Sequence, residues 1–131
     1  MCAIIAAAVL FLWSLPLAGW AAAAGTIVIR ESSAQKTVYA TVGDKLKVIL
    51  KGNPTTGYIW EKVKGRESIL QQEGNYQYKP ESGLVGAGGT FVFSFRLKAA
   101  GTKKLRLIYH RPFEKNVQPL KILEVTVIVR R

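Results

Sequence analysis

Phe91, Phe93, Phe95 and Leu97 alternate with Val92, Ser94 and Arg96. Successive side chains on an extended backbone point to opposite faces, so this run sets four large apolar groups on one face of a strand. Leu46, Val48 and Leu50 repeat the pattern, with Lys45 and Lys47 turned away. So do Leu105, Leu107 and Tyr109 against Lys104, Arg106 and Ile108, and Leu123, Val125, Val127 and Val129 near the end of the chain. Eight short strands are predicted: Thr26 to Arg30, Thr37 to Val42, Lys45 to Leu50, Tyr58 to Lys64, Ile69 to Tyr78, Phe91 to Leu97, Lys104 to Tyr109 and Lys121 to Val129. Strands at about 8–12-residue spacing without a crossover helix argue for an all-β fold, an antiparallel β-sandwich. No repeat, low-complexity tract or internal linker divides it.

The first 24 of the 131 residues carry no charge and read as an apolar, Ala-rich segment. Ala22-Ala23-Ala24 fits the small-x-small pattern of a signal-peptide cleavage site before Gly25, although no basic residue precedes the apolar stretch. An uncleaved anchor is the competing reading, since about 20 apolar residues can span a bilayer. Ser14, Pro16 and Gly19 interrupt the run, which favours residues 1–24 as a signal peptide and 25–131 as a secreted or periplasmic domain. Removing 24 of 131 residues leaves 107, enough for one core. The lone cysteine, Cys2, lies in the leading segment, so the remainder needs no disulfide; Trp20, not cysteine, follows Leu17-Ala18-Gly19, so no lipid-modified cysteine is indicated.

All 19 basic and 8 acidic residues fall after residue 24, giving a net charge of +11. Such a balance favours anionic partners, yet the charges are spread along the chain and form no basic block. One reading is a secreted basic sandwich that binds an anionic envelope polymer; the other is a solvated β surface.

Connections between strands differ in composition. Asn53-Pro54-Thr55-Thr56-Gly57-Tyr58 has no charge; Asn and Pro at its first two positions pre-set a tight turn, and Gly57 can take positive φ. Gly83-Leu84-Val85-Gly86-Ala87-Gly88-Gly89 precedes the Phe-rich strand, and His110-Arg111-Pro112-Phe113 follows the seventh. If successive strands run up and down, these three connections share one end of the sandwich. Gly43-Asp44, Gly65 to Ser68 and Ala99 to Gly101 occupy the other as plain turns.

Little here supports catalysis. There is no nucleophile elbow, no His-Glu-x-x-His helix and no motivated carboxylate pair. Gly86-Ala87-Gly88-Gly89 lacks the following Lys-Ser/Thr and helix N-terminus of a phosphate loop; its glycines serve either a close backbone approach to a partner or a tight path. Leu84 and Val85 are partner contacts if exposed and core if tucked in. Pro112 keeps Arg111 extended, so Arg111 and Phe113 project as a cation and an aromatic plate, unless Phe113 packs under the loop and Arg111 pairs with Glu114. His110 is the only histidine, so no metal is expected. No cofactor and no catalytic residue are expected either.

Taken in order, Asn-Pro-Thr-Thr-Gly-Tyr at 53–58, Gly-Ala-Gly-Gly at 86–89 and Arg-Pro-Phe at 111–113 resemble the chagasin-type inhibitors of cysteine peptidases, as does the Lys98 to Thr102 turn. The resemblance runs from about residue 36 to the end. It implies an immunoglobulin-like β-sandwich that inhibits papain-like cysteine peptidases reversibly, with three loops wedged across the active-site cleft. On that resemblance Asn53, Pro54, Thr55, Thr56, Gly57 and Tyr58 sit over the catalytic pair. Leu84, Val85, Gly86, Ala87, Gly88 and Gly89 run along one side, and Arg111, Pro112 and Phe113 pack on the other. Tyr58 stands where the family commonly has Phe, and Phe113 where it usually has Trp, a smaller ring without the N–H donor. The expected partner is a papain-like cysteine peptidase, with no nucleic acid, no membrane span after cleavage and a monomeric state.

Overall fold

A computed structural model describes residues 25–131, so the leading segment read as a signal peptide lies outside the described residues. Nine strands form two sheets: β1 Thr26–Arg30, β2 Thr37–Thr41, β3 Lys45–Gly52, β4 Ile59–Lys62, β5 Leu70–Gln72, β6 Gln77–Pro80, β7 Gly89–Leu97, β8 Gly101–His110 and β9 Lys121–Arg130. One sheet has the order β1-β3-β7-β5, with β6 also paired to β7; the other has the order β2-β9-β8-β4.

The apolar rows of the sequence meet between these sheets. Phe91, Phe93, Phe95 and Leu97 of β7 and Leu46, Val48 and Leu50 of β3 are buried against Leu105, Leu107 and Tyr109 of β8 and Leu123, Val125, Val127 and Val129 of β9. Trp60 closes one flank of the core and donates its indole N–H to the Lys51 carbonyl across the sheets, at 3.0 Å. Among the described residues no charged side chain is buried, and the core rests on apolar burial and aromatic packing, with the Trp60 indole N–H and the Tyr109 hydroxyl as its hydrogen-bonded polar atoms.

Two details differ from the expectation. The fifth strand is interrupted: Gln72 pairs with Phe95 and Gln77 with Val92, so five steps on one strand oppose three on the other. Glu73-Gly74-Asn75 holds no apolar group to bury, and Gly74 takes φ 65, which makes this a bulge. The chain emerges in its original direction, with Tyr76 and Tyr78 packed on Phe91 and Phe93. Second, the sheets are mixed, because β1 pairs with β3 and β2 with β9 in parallel. With β5 and β6 taken as one interrupted strand, direction still alternates along the chain. The parallel pairs arise because β2 crosses to the opposite sheet, leaving two strands of like direction, β1 and β3, side by side.

That alternation positions the site. The β3–β4, β6–β7 and β8–β9 connections fall at one end, which we call the tip. Val42 to Asp44 and Leu97 to Gly101 meet at the other, where Gly43 donates to Leu97 and Leu97 to Asp44.

Replacing Phe93, buried in the middle of the β7 row, by Ala is expected to cost about 3–5 kcal/mol, read as a lower urea midpoint with unchanged slope. A cost under about 1 kcal/mol would mean that this row does not hold the sheets together.

Candidate functional site

Each of the three tip loops is stiffened from within. Pro54–Thr56 forms one 3-10 turn, which Asn53 caps: its carboxamide oxygen accepts from the Thr55 amide at 3.1 Å and the Thr55 hydroxyl at 2.6 Å. The Thr56 hydroxyl donates to the Asn53 carbonyl at 2.6 Å, and Gly57 leaves the turn at φ 86, a left-handed conformation that favours glycine. Both hydroxyls are therefore spent inside the turn, although Thr55 and Thr56 themselves are exposed. In the β6–β7 loop Ala87 donates to the Leu84 carbonyl and Gly86 takes φ 81, closing a second tight turn. In the β8–β9 loop Glu114 donates to the Arg111 carbonyl at 3.1 Å.

Further bonds tie the loops to one another. The Asn53 side-chain NH2 donates to the Gly86 carbonyl at 2.9 Å, joining the first loop to the second. Arg111 joins the first to the third: its Nε donates to the Thr56 carbonyl at 3.1 Å, its guanidinium lies 4.5 Å from the Tyr58 ring centroid, and its Nη1 donates to Glu114 at 2.8 Å. The hydrogen bond to Glu114, against the opposing effect of desolvation, raises the pKa of Arg111, so this brace stays charged. Beneath it Tyr58 stacks on Tyr109 at 5.3 Å, and the Tyr109 hydroxyl accepts the Asn53 amide at 2.9 Å.

The structure thus gathers the three sequence-derived segments at one pole, with different roles within them. Leu84, Val85 and Phe113 are 77%, 104% and 70% exposed, so they form the apolar crest. Pro112 is exposed beside Phe113. Phe113 lies over Gly57, where an added Cβ would come within 3.1 Å of the ring. Tyr58 and Arg111 are half-buried and act as pedestal and brace, with Arg111 paired to Glu114. Gly88 is half-buried and Gly89 is buried, opening β7 opposite Gly52. A Cβ on Gly89 would collide with the Lys79 carbonyl and the Tyr78 hydroxyl. His110 pairs with Glu61 across β4 and β8 at 2.8 Å. Tyr109 and Glu114 complete the framework. Sequence placed Tyr109 among core residues, and nothing in its local pattern signals that its hydroxyl reaches a loop 56 positions away.

This arrangement presents no charged nucleophile, only a narrow ridge of backbone, methyl groups and one aromatic ring on fixed turns. Comparison with known proteins agrees with the geometry. Residues 39–127 match the model of the Chagasin family peptidase inhibitor I42. The chain belongs to the chagasin family of peptidase inhibitors. It is 40% identical over 82 residues to chagasin from Trypanosoma cruzi, spanning 59% of this chain and 74% of that protein. It is 28% identical over 104 residues to amoebiasin-2 from Entamoeba histolytica, spanning 79% and 85%. The crystal structure of the cysteine protease inhibitor EhICP2 from Entamoeba histolytica superposes with a TM-score of 0.74 at 27% identity, covering 82% of this chain and 98% of that one.

Two substitutions test the framework of this chagasin-family tip. Asn53→Ala is expected to cost about 1 kcal/mol, and Tyr109→Phe about 0.5–1.5 kcal/mol, by urea unfolding. Because both act on one amide-centred network, the double variant should cost less than the sum by at least about 0.5 kcal/mol. Strict additivity would show that the two bonds stabilise separate elements.

Proposed function

We infer that this domain is a reversible inhibitor of papain-like cysteine peptidases that seats its tip in the active-site cleft. Membership of the chagasin family supports the inhibitory activity. The observation that carries the binding mode is the state of the tip carbonyls. Cleavage requires an extended chain whose scissile carbonyl is free to turn toward the nucleophile and its oxyanion donors. Here the Asn53 carbonyl accepts from Thr56, the Pro54 carbonyl from Gly57 and the Thr56 carbonyl from Arg111. The bend fills space above the catalytic pair while holding these carbonyls in turn geometry. It occupies the cleft without behaving as a substrate.

The flanking residues supply area. Leu84 and Val85 reach along one wall of the cleft, and Pro112 and Phe113 along the other. Loops already tied to one another lose little conformational freedom on docking, so more of the contact energy appears as affinity. An interface of about 800 Å² on each side is the ordinary size for such complexes. Residues 1–24 are proposed to direct export, leaving Gly25 at the amino terminus of the mature inhibitor.

Residues 25–131 titrated against a papain-like peptidase should give reversible inhibition below micromolar concentration; unaffected peptide hydrolysis at that level would refute the activity. Thr55→Glu and Thr56→Glu, which place a carboxylate on the bend, should weaken inhibition at least 100-fold with native circular dichroism and a melting temperature lowered only by the loss of one hydroxyl hydrogen bond each. Retained inhibition by both variants would move the contact away from this turn.

A further inference from the structure

The tip accounts for little of the +11 charge. The outward positions of the β1-β3-β7 sheet carry much of it: Arg30 on β1, Lys45, Lys47 and Lys51 on β3, Arg96 on β7 and Lys79 on β6 are all exposed. Register brings them into one field. Lys45 lies opposite Arg96, Lys47 opposite Ser94, and Lys51 opposite Thr90, which is itself opposite Lys79; Arg30 flanks Ile49. None of the outward side chains on these strands is acidic; Glu31 reaches the edge of the face, where its carboxylate accepts the Lys51 amide at 3.0 Å, and Asp44, Glu73 and Glu81 flank the strand ends. Among the described residues the ion pairs involve Lys62, Lys104, His110 and Arg111, so none of these six cations is neutralised by a partner. Six unpaired like charges on one sheet face repel one another. An opposing anionic surface removes that cost.

The pattern also selects among anions. The three lysines of β3 form a file about 20 Å long, at about 3.3 Å per residue, which suits a linear polymer better than a plane of headgroups. Between the cations stand Thr26, Gln71, Gln77, Thr90 and Ser94, neutral hydroxyls and amides able to exchange hydrogen bonds with sugar hydroxyls, and a short apolar strip of Val28, Ile49 and Val92 on which the carbon face of a sugar ring can rest. No outward position of these strands holds an aromatic ring on which a nucleic-acid base could stack. We propose that this face binds an acidic polysaccharide, carboxylated or sulfated, laid along β3. The face runs parallel to the strands and the inhibitory loops stand at their ends, so the polymer leaves the tip free. Lys45, Lys47 and Arg96 lie at the far end from the tip, which makes them suitable for a test.

Residues 25–131 and the triple variant Lys45→Gln, Lys47→Gln, Arg96→Gln are assayed by titration calorimetry against heparin and polygalacturonate, with phosphatidylglycerol vesicles and duplex DNA as competitors of other classes. Binding to at least one glycan at physiological salt is expected, with affinity falling linearly in log–log form as salt rises, since a dense polyanion releases counterions on binding. Neutralising three of the six cations should lower affinity at least tenfold and cut that slope by about half, with circular dichroism and peptidase inhibition unchanged. No glycan binding at physiological salt, equal binding by the variant, or tighter binding to vesicles or DNA than to either glycan would each overturn the proposal. The glycan assay contains no peptidase, so its outcome is independent of the inhibitory reading.

Discussion

The inward row of β7 fixes the register on which the tip depends. With Phe91, Phe93 and Phe95 committed to the core, β3 has one pairing that also buries Leu46, Val48 and Leu50, and that pairing ends with Gly52 beside Gly89. A slip of β3 by one residue would turn its own row, Leu46, Val48 and Leu50, outward. Glycine is required at both positions, since a Cβ at Gly52 would strike the Phe91 and Tyr109 rings and one at Gly89 the Lys79 carbonyl and Tyr78, and from this pair Asn53 emerges within reach of the Gly86 carbonyl. Core burial far from the tip therefore determines whether the loop-to-loop bonds can form. Stability and presentation are one problem here, solved by the same strand.

What could be read from the sequence follows from how local each signal is. Period-two alternation is a property of a few consecutive residues, so the strands, their inward faces and the all-β class were legible. Loop composition is equally local, and alternation of strand direction converts it into co-location; the bulge at Glu73 to Tyr76 did no harm because it leaves direction unchanged. Sheet membership is not local. Nothing in Thr37 to Thr41 says that it crosses to pair with β9, and the parallel pairs follow from that crossing alone. Side-chain bonds between loops are equally hidden. The Arg111–Glu114 pair was among the readings the sequence offered, but the same guanidinium also turns back to Thr56 and Tyr58, partners that the fold alone supplies.

The cations show the same division. Along the chain the charges look dispersed, because the residues of the basic face come from strands up to 66 positions apart, from Arg30 to Arg96. Alternation predicts that each points outward, but only the strand order β1-β3-β7 makes them neighbours. The opposite sheet also exposes Arg106 and Arg130, but it carries acidic residues among its cations, Glu124 beside Lys104 and Glu61 on β4. Net charge alone would treat the two faces alike.

In the proposed binding mode, stiffness rather than the strength of any one contact is the economical property of the tip. Turns held by Asn53, Pro54 and Gly57 have few conformations to lose, and the Arg111 bridge transfers that restriction to the third loop. Arg111 is thus more than an interface cation: on binding it need not be freed from Glu114, because its work is to keep Tyr58 and Thr56 in place. A substitution there should act through loop geometry, and so depend little on the charge of the peptidase. By contrast, Phe113 is exposed and rests on Gly57 without a hydrogen bond of its own, so it is free to adjust to the wall it meets. On the proposed function the tip therefore combines a rigid centre, which excludes substrate geometry, with an apolar margin that can adapt to different clefts.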